Sequence, residues 1–211
     1  MRMSEAFEAE LALLRNRGAL QDINPGSLPT QIIRPHDKKA LSIFVVSCCD
    51  GHQNGDIHRH VISCCAKSKA RFGEMIEEDC YHWKTCNGGP LVLSIPEIQT
   101  QVYKGETLHL DLQLFGCFEE SRRRDMKGMD AVLLIGHARC AKADPYLSSL
   151  NEYCNSLVDA KKRFMVEFGL KSPQVITWLQ THRANGERKA YHVNYSTYVM
   201  DQVQPKMRAH A

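Results

Sequence analysis

The apolar positions of the chain fall into two kinds of run. Short unbroken runs rich in β-branched residues are one kind: residues 41–47 (LSIFVVS) and Ala131–Ile135 (AVLLI). That pattern predicts strands buried on both faces, as in a parallel sheet. Leu91–Ile95, just after Asn87-Gly88-Gly89-Pro90, predicts a third and weaker strand, and Val175 opens a fourth (VITWLQ). The fourth leads through Asn185-Gly186 into Tyr191–Tyr195 (YHVNY), which predicts a closing hairpin.

The other kind of run recurs at helical spacing. Phe7, Leu11 and Leu14 predict a helix over residues 4–17, with Ser4 as N-cap and Gly18 as its stop. Leu147, Leu150, Cys154, Leu157, Lys161 and Met165 trace one stripe, predicting a helix over 145–168. Asp144 is its expected N-cap, Pro145 suits its first turn, and Gly169 ends it. Residues 106–124 fit both periods: Leu108, Leu110, Leu112 and Leu114 alternate, while Leu108, Leu112, Phe115 and Glu119 follow a helix. A parallel strand at 131–135 needs a crossover before it, so a helix is predicted there. Pro25, Gly26, Pro29 and Pro35 make residues 19–40 an irregular arm, to be packed on its own core or on a neighbouring subunit. The expected fold is α/β, a mostly parallel central sheet flanked by helices. An N-terminal helix and arm (1–40) precede the main domain (41–200), and a tail (201–211) follows it.

Composition narrows the class without naming a function. A length of 211 residues suits one domain, and 43% apolar with 24% charged residues excludes disordered and collagen-like classes. A net charge of +3 is too mild to point to nucleic acid. No apolar run approaches the roughly 18 residues of a membrane span, and the N-terminal MRMSEAFEAELALLRNRG has no apolar signal core. A cytoplasmic protein without membrane or nucleic-acid partners is therefore expected. Arg122-Arg123-Arg124 reads as a solvated helix end. Nine cysteines, an odd and irregularly spaced set, do not suit a secreted disulfide framework. With ten histidines in a reducing compartment, they point towards metal binding.

Position says more than number. The first predicted strand runs into Cys48-Cys49-Asp50-Gly51-His52, and the strand at 131–135 runs into Gly136-His137-Ala138-Arg139-Cys140. Both clusters fall at the C-terminal ends of predicted parallel strands, the edge where open α/β sheets bind ligands. The His137-x-x-Cys140 pair and one further cysteine from the neighbouring strand give three ligands of types that suit zinc, with the fourth position left for water as in a catalytic site. Cys49 faces away from Cys48 if the strand continues and is expected in the core. Cys64-Cys65 are adjacent, a poor arrangement for chelating one ion.

These residues resemble the β-class carbonic anhydrases. That family carries a Cys-x-Asp-x-Arg motif after its first strand and Gly-His-x-x-Cys after a later one. Cys48-Cys49-Asp50 matches the start of the first motif, and Gly136–Cys140 matches the second in full. Cys86-Asn87-Gly88-Gly89 is similar to the family's Asn-Ala-Gly segment, and residues 175–195 to its last strand and tail. The resemblance implies Zn2+ held by Cys48, His137 and Cys140, and a homodimer or higher homo-oligomer. It implies reversible hydration of carbon dioxide to bicarbonate by a zinc-activated water oriented by Asp50, with Gly88 and Gly89 near the substrate. Two departures stand out. His52 occupies the place of the arginine that pairs with the aspartate, and the stretch between the motifs is long, with the excess around 52–80. His52 or Arg59 is the expected substitute for that arginine. Failing both, Asp50 closes the metal position and gives a zinc protein with little hydratase activity, or one acting on a related small electrophile. A third reading makes Cys48-Cys49 and Cys64-Cys65 working thiols of a redox or interaction protein.

Overall fold

The computed structural model describes residues 5–23, 42–49, 55–62, 80–124, 129–183 and 185–199. Helix α1 (Glu5–Asn16) buries Phe7, Leu11 and Leu14 along one stripe and ends before Gly18, whose φ of 70° suits glycine. Strand β1 (Leu20–Asp22) follows, then β2 (Ser42–Cys48), a short helix α2 (55–62) and β3 (Cys80–Cys86). A hairpin of β4 (Thr100–Tyr103) and β5 (Glu106–His109) leads into helix α3 (Leu110–Arg124). Strand β6 (Ala131–His137), helix α4 (Leu150–Phe168), β7 (Val175–His182) and β8 (Arg188–Val193) complete the order.

Among the described residues, six strands form one sheet in the order β1-β8-β7-β6-β2-β3. β3, β2, β6 and β7 run parallel, and β8 and β1 close one side antiparallel. The mixed α/β class with a mostly parallel sheet flanked by helices is as expected. All seven residues of β2 and all seven of β6 are buried, as unbroken apolar strands between two covered faces must be. One face carries Phe44, Val46, Val132 and Leu134 against α1, α3 and α4. There Phe115, Phe118, Phe164 and Phe168 cluster with ring centroids 4.5–5.8 Å apart, mostly edge to face. The opposite face carries Ile43, Val45, Leu133, Ile135 and Trp178, covered by Ile57 and Val61 of α2.

Four expectations change. Leu91–Ile95 is no strand: Gly89–Leu93 forms a 3-10 turn with all five residues buried. Gly88 and Gly89, at φ 87° and 56°, turn the chain into it, and Pro90 sits at its start. The third parallel strand is instead β3, whose Tyr81 and Trp83 pack on the second face. Residues 106–109 pair with 100–103, so the alternating reading held for the first four residues and the helical one from Leu110. Lys104 and Gly105 both have positive φ at that hairpin's tip, matching the strand twist. Helix α4 starts at Leu150 rather than 145. Ser149 caps it, accepting from Glu152 N at 3.2 Å, while Asp144 is engaged elsewhere. Finally, the arm is not wholly irregular, since Leu20, Gln21 and Asp22 pair with β8.

The N-terminal segment packs on its own chain. α1 and β1 contribute Phe7, Leu11, Leu14 and Leu20 to the first core. The Glu10 carboxylate accepts from the backbone N–H of Leu150 at 2.8 Å and Asn151 at 3.0 Å, completing the cap of α4. Arg122, Arg123 and Arg124 are the solvated helix end expected, paired along the helix with Glu119 and Glu120. No helix among the described residues is long and apolar enough to cross a membrane.

Candidate metal centre

Strands β2 and β6 are hydrogen-bonded neighbours, and each ends on a candidate ligand. β2 delivers Cys48, and β6 delivers His137, so both motifs lie at the C-terminal edge of the parallel strands. A turn then brings Cys140 back. Its carbonyl accepts from Ala143 N at 2.8 Å and Asp144 N at 2.7 Å. Arg139 holds a φ of 61° in that turn, a strained conformation for a residue with a side chain. Its surroundings hold it there: Arg139 Nε lies 3.3 Å from Asp144 Oδ2, and its guanidinium sits 5.6 Å from the Phe7 ring centroid. Tyr153 Oη donates to the other oxygen of Asp144 at 2.5 Å. α1 and α4 thus both brace the turn that carries Cys140.

The three ligand atoms lie within 4.8 Å of one another, and all three residues are buried. Cys48 Sγ and Cys140 Sγ are 3.9 Å apart. A disulfide needs about 2.05 Å, whereas two thiolates sharing a tetrahedral ion at roughly 2.3 Å each stand about 3.8 Å apart. His137 Nε2 is buried and has no hydrogen-bond partner, an unmet acceptor or donor that a metal bond would satisfy. His137 Nδ1 lies 3.4 Å from the Ala138 carbonyl, which fits a proton on Nδ1 and a lone pair on Nε2. Two sulfurs and one such nitrogen form a donor set suited to a soft or borderline divalent ion. The Cys140 thiol is held protonated, well above the ordinary thiol range, first by its contact with Cys48 and then by burial. A cation between them reverses this balance, and binding releases protons.

Glycines let the parts close up. A side chain at Gly89 would put Cβ 2.7 Å from Cys48 N and 3.2 Å from its Cα, so this turn lies directly on the ligand's backbone. Of the two glycines expected near the substrate, Gly89 lies against Cys48 itself, and Gly88 against Ile98 and Val92. At Gly136 a Cβ would meet Leu157 of α4 at 3.0 Å. Cys86 sits opposite Cys48 in the β3–β2 register, and its thiol donates to Gly89 O at 3.4 Å. Burial, chiefly, pushes the Cys86 thiol up to about 12. Sequence reasoning placed Cys86 beside the centre only through the Asn-Gly-Gly segment; its register position could not be read without strand β3.

The remaining candidates separate. Cys49 is exposed, not core, and its thiol donates to Asn87 Oδ1 at 2.9 Å, because the strand ends at Cys48 and the chain turns. Arg59 is on α2 with its side chain 79% exposed, its guanidinium 2.5 Å from Asp56. Asp50 and His52, the expected catalytic pair, lie outside the described residues, as do Ser4 and Cys64-Cys65. No family model matches the chain, and no curated protein or solved structure matches it.

Proposed function

We propose that the chain is a zinc protein of the β-carbonic anhydrase type, interconverting carbon dioxide and bicarbonate. One observation carries this reading: the buried Cys48, His137 and Cys140 set, with an unpartnered His137 Nε2, at the ends of adjacent parallel strands. Zinc held by two thiolates and an imidazole supplies a water whose pKa falls from roughly 15.7 to about 7. Cys48, His137 and Cys140 hold the ion. The braced turn at 138–144 keeps Cys140 in place, and Gly89 keeps Cys48 in place. Asp50, two positions past Cys48, would accept a hydrogen bond from the reacting water and aim its oxygen at the carbon of carbon dioxide. His52 holds that carboxylate in the role the family gives to arginine. The reaction balances as carbon dioxide plus water giving bicarbonate and a proton, which leaves to buffer. The same reading makes the chain a homodimer or higher homo-oligomer.

The test has two parts. Purified under reducing conditions, the protein should carry about one zinc per chain. Stopped-flow hydration should show turnover that Asp50→Ala reduces by at least an order of magnitude. Protein without zinc overturns the whole reading.

A second reading is favoured by the position of Arg59, exposed and spent on Asp56. If no other arginine serves Asp50, that carboxylate would become the fourth ligand, and the protein would be a closed zinc site with little hydratase activity. Full zinc with no hydration at pH about 7 or about 9 selects it. Thiols at Cys48 and Cys140 that react equally with and without a chelator select the redox alternative instead.

A further inference from the structure

A second polar site lies on the Trp178 face of the sheet. β7 contributes Trp178 and Gln180, 1% and 3% exposed, and α2 contributes His60. Trp178 Nε1, Gln180 Oε1 and His60 Nε2 are all buried and lack hydrogen-bond partners. All three residues line one cavity of about 30 Å³. Three unmet polar groups from two elements, on residues lining one cavity, are costly in a folded core unless something enters to satisfy them. At roughly 10–15 Å³ per water the cavity holds two or three, the space of a molecule such as formamide or urea.

The chemistry of the walls selects the ligand. The indole N–H only donates, and the amide oxygen of Gln180 only accepts, so the ligand must carry an acceptor and a donor close together. Of the other lining residues, Ile57, Ile135 and Ala190 have apolar side chains, and Asp56, Arg188 and Lys189 are charged. These charges are already paired: Arg188 with Asp56, and Lys189 Nζ lies 2.9 Å from Asp22 Oδ1. Burial lowers the pKa of His60, so it is neutral at pH 7. An anion here would lose water without gaining a free cation and would face the Gln180 oxygen.

We infer that this cavity binds a small neutral amide, of the formamide or urea class. The ligand carbonyl accepts from Trp178 Nε1–H. One ligand N–H donates to Gln180 Oε1, and a second donates to His60 Nε2. Gln180 neighbours His137 in the β7–β6 register, but the site uses none of the proposed metal ligands.

The chain has two tryptophans, so Trp83→Phe leaves a single indole N–H signal, that of Trp178. That signal is followed by NMR in the reduced full chain as formamide, urea or sodium formate is added. Formamide and urea should shift it saturably with a midpoint of about 1 mM, and formate should not. Gln180→Met should weaken formamide about tenfold. In the parent protein at saturation, the formyl proton of formamide should show a cross-relaxation contact to the Trp178 indole proton. Shifts that never saturate mean that water alone fills the cavity, and they overturn the inference. So does saturation by formate below the formamide midpoint, or a missing contact to Trp178.

Discussion

Gly89 sits where no side chain fits. Its Cβ would lie 2.7 Å from the Cys48 backbone, and its φ of 56° disfavours any other residue. Gly89→Ala should cost about 2–4 kcal/mol in urea unfolding and weaken zinc binding along with it. Gly136→Ala meets only the flexible end of Leu157, and about 1 kcal/mol is expected there. At the ligands the expectation is sharper. Cys48→Ser or Cys140→Ser should drop bound zinc to a small fraction of one per chain by metal analysis, with the fold retained by circular dichroism. These ligands were legible in the sequence because each motif directly follows an unbroken apolar run, and such a run fixes where its strand ends. Cys49 was misread because the alternation of β2 was carried one residue too far. Strand β3 was missed for a different reason. Among the described residues it is one of the sheet's two edge strands, so His82 and Lys84 interrupt its aromatic positions, Tyr81 and Trp83.

At the scale of elements, α4 carries a charge in its apolar stripe. Lys161 is 4% exposed, its ammonium 4.6 Å from the Tyr195 ring centroid, and burial lowers its pKa to about 8. The unfolded chain holds that proton to about 10.5, so below pH 8 the folded state bears a buried charge that costs stability. Between pH 8 and about 10.5 the unfolded state binds more protons, and this contribution improves as pH rises. Lys161→Met should therefore stabilise the protein by about 1–3 kcal/mol at pH 7. The difference between variant and parent should shrink towards pH 10 in paired denaturant melts. His192 of β8 acts in the acid range. Burial, then the Lys161 charge, lowers it to about 4, so stability should fall as pH drops from about 6.5 to 4. The start of α4 is a separate joint. Glu10→Ala leaves the N–H groups of Leu150 and Asn151 without their acceptor, and about 1–2 kcal/mol should be lost. The sequence placed this helix but not its start, because Leu147 continues the stripe while Ser149 and Glu10 satisfy the first turn from Leu150 onward.

At the scale of the whole molecule, an ion bound only by the folded chain adds to its stability by mass action. Chelation should lower the melting temperature by about 5–15 °C, and added zinc should restore it, with Cys140→Ser insensitive to both. The two motifs and strands β2, β6 and β7 were readable because these strands are buried on both faces. The small helix α2 and the cavity beneath it were not, since they depend on how α2 lies across β7.

In β6 the side chains alternate: Val132 and Leu134 belong to one core, Leu133 and Ile135 to the other. His137 follows the count of Leu133 and Ile135, while Cys48 belongs with Phe44 and Val46. The ligands thus descend from opposite sides of the sheet and meet only at its rim. An ion held there would act as a rivet between the two faces of the sheet. Its removal would be felt on both faces of the sheet at once.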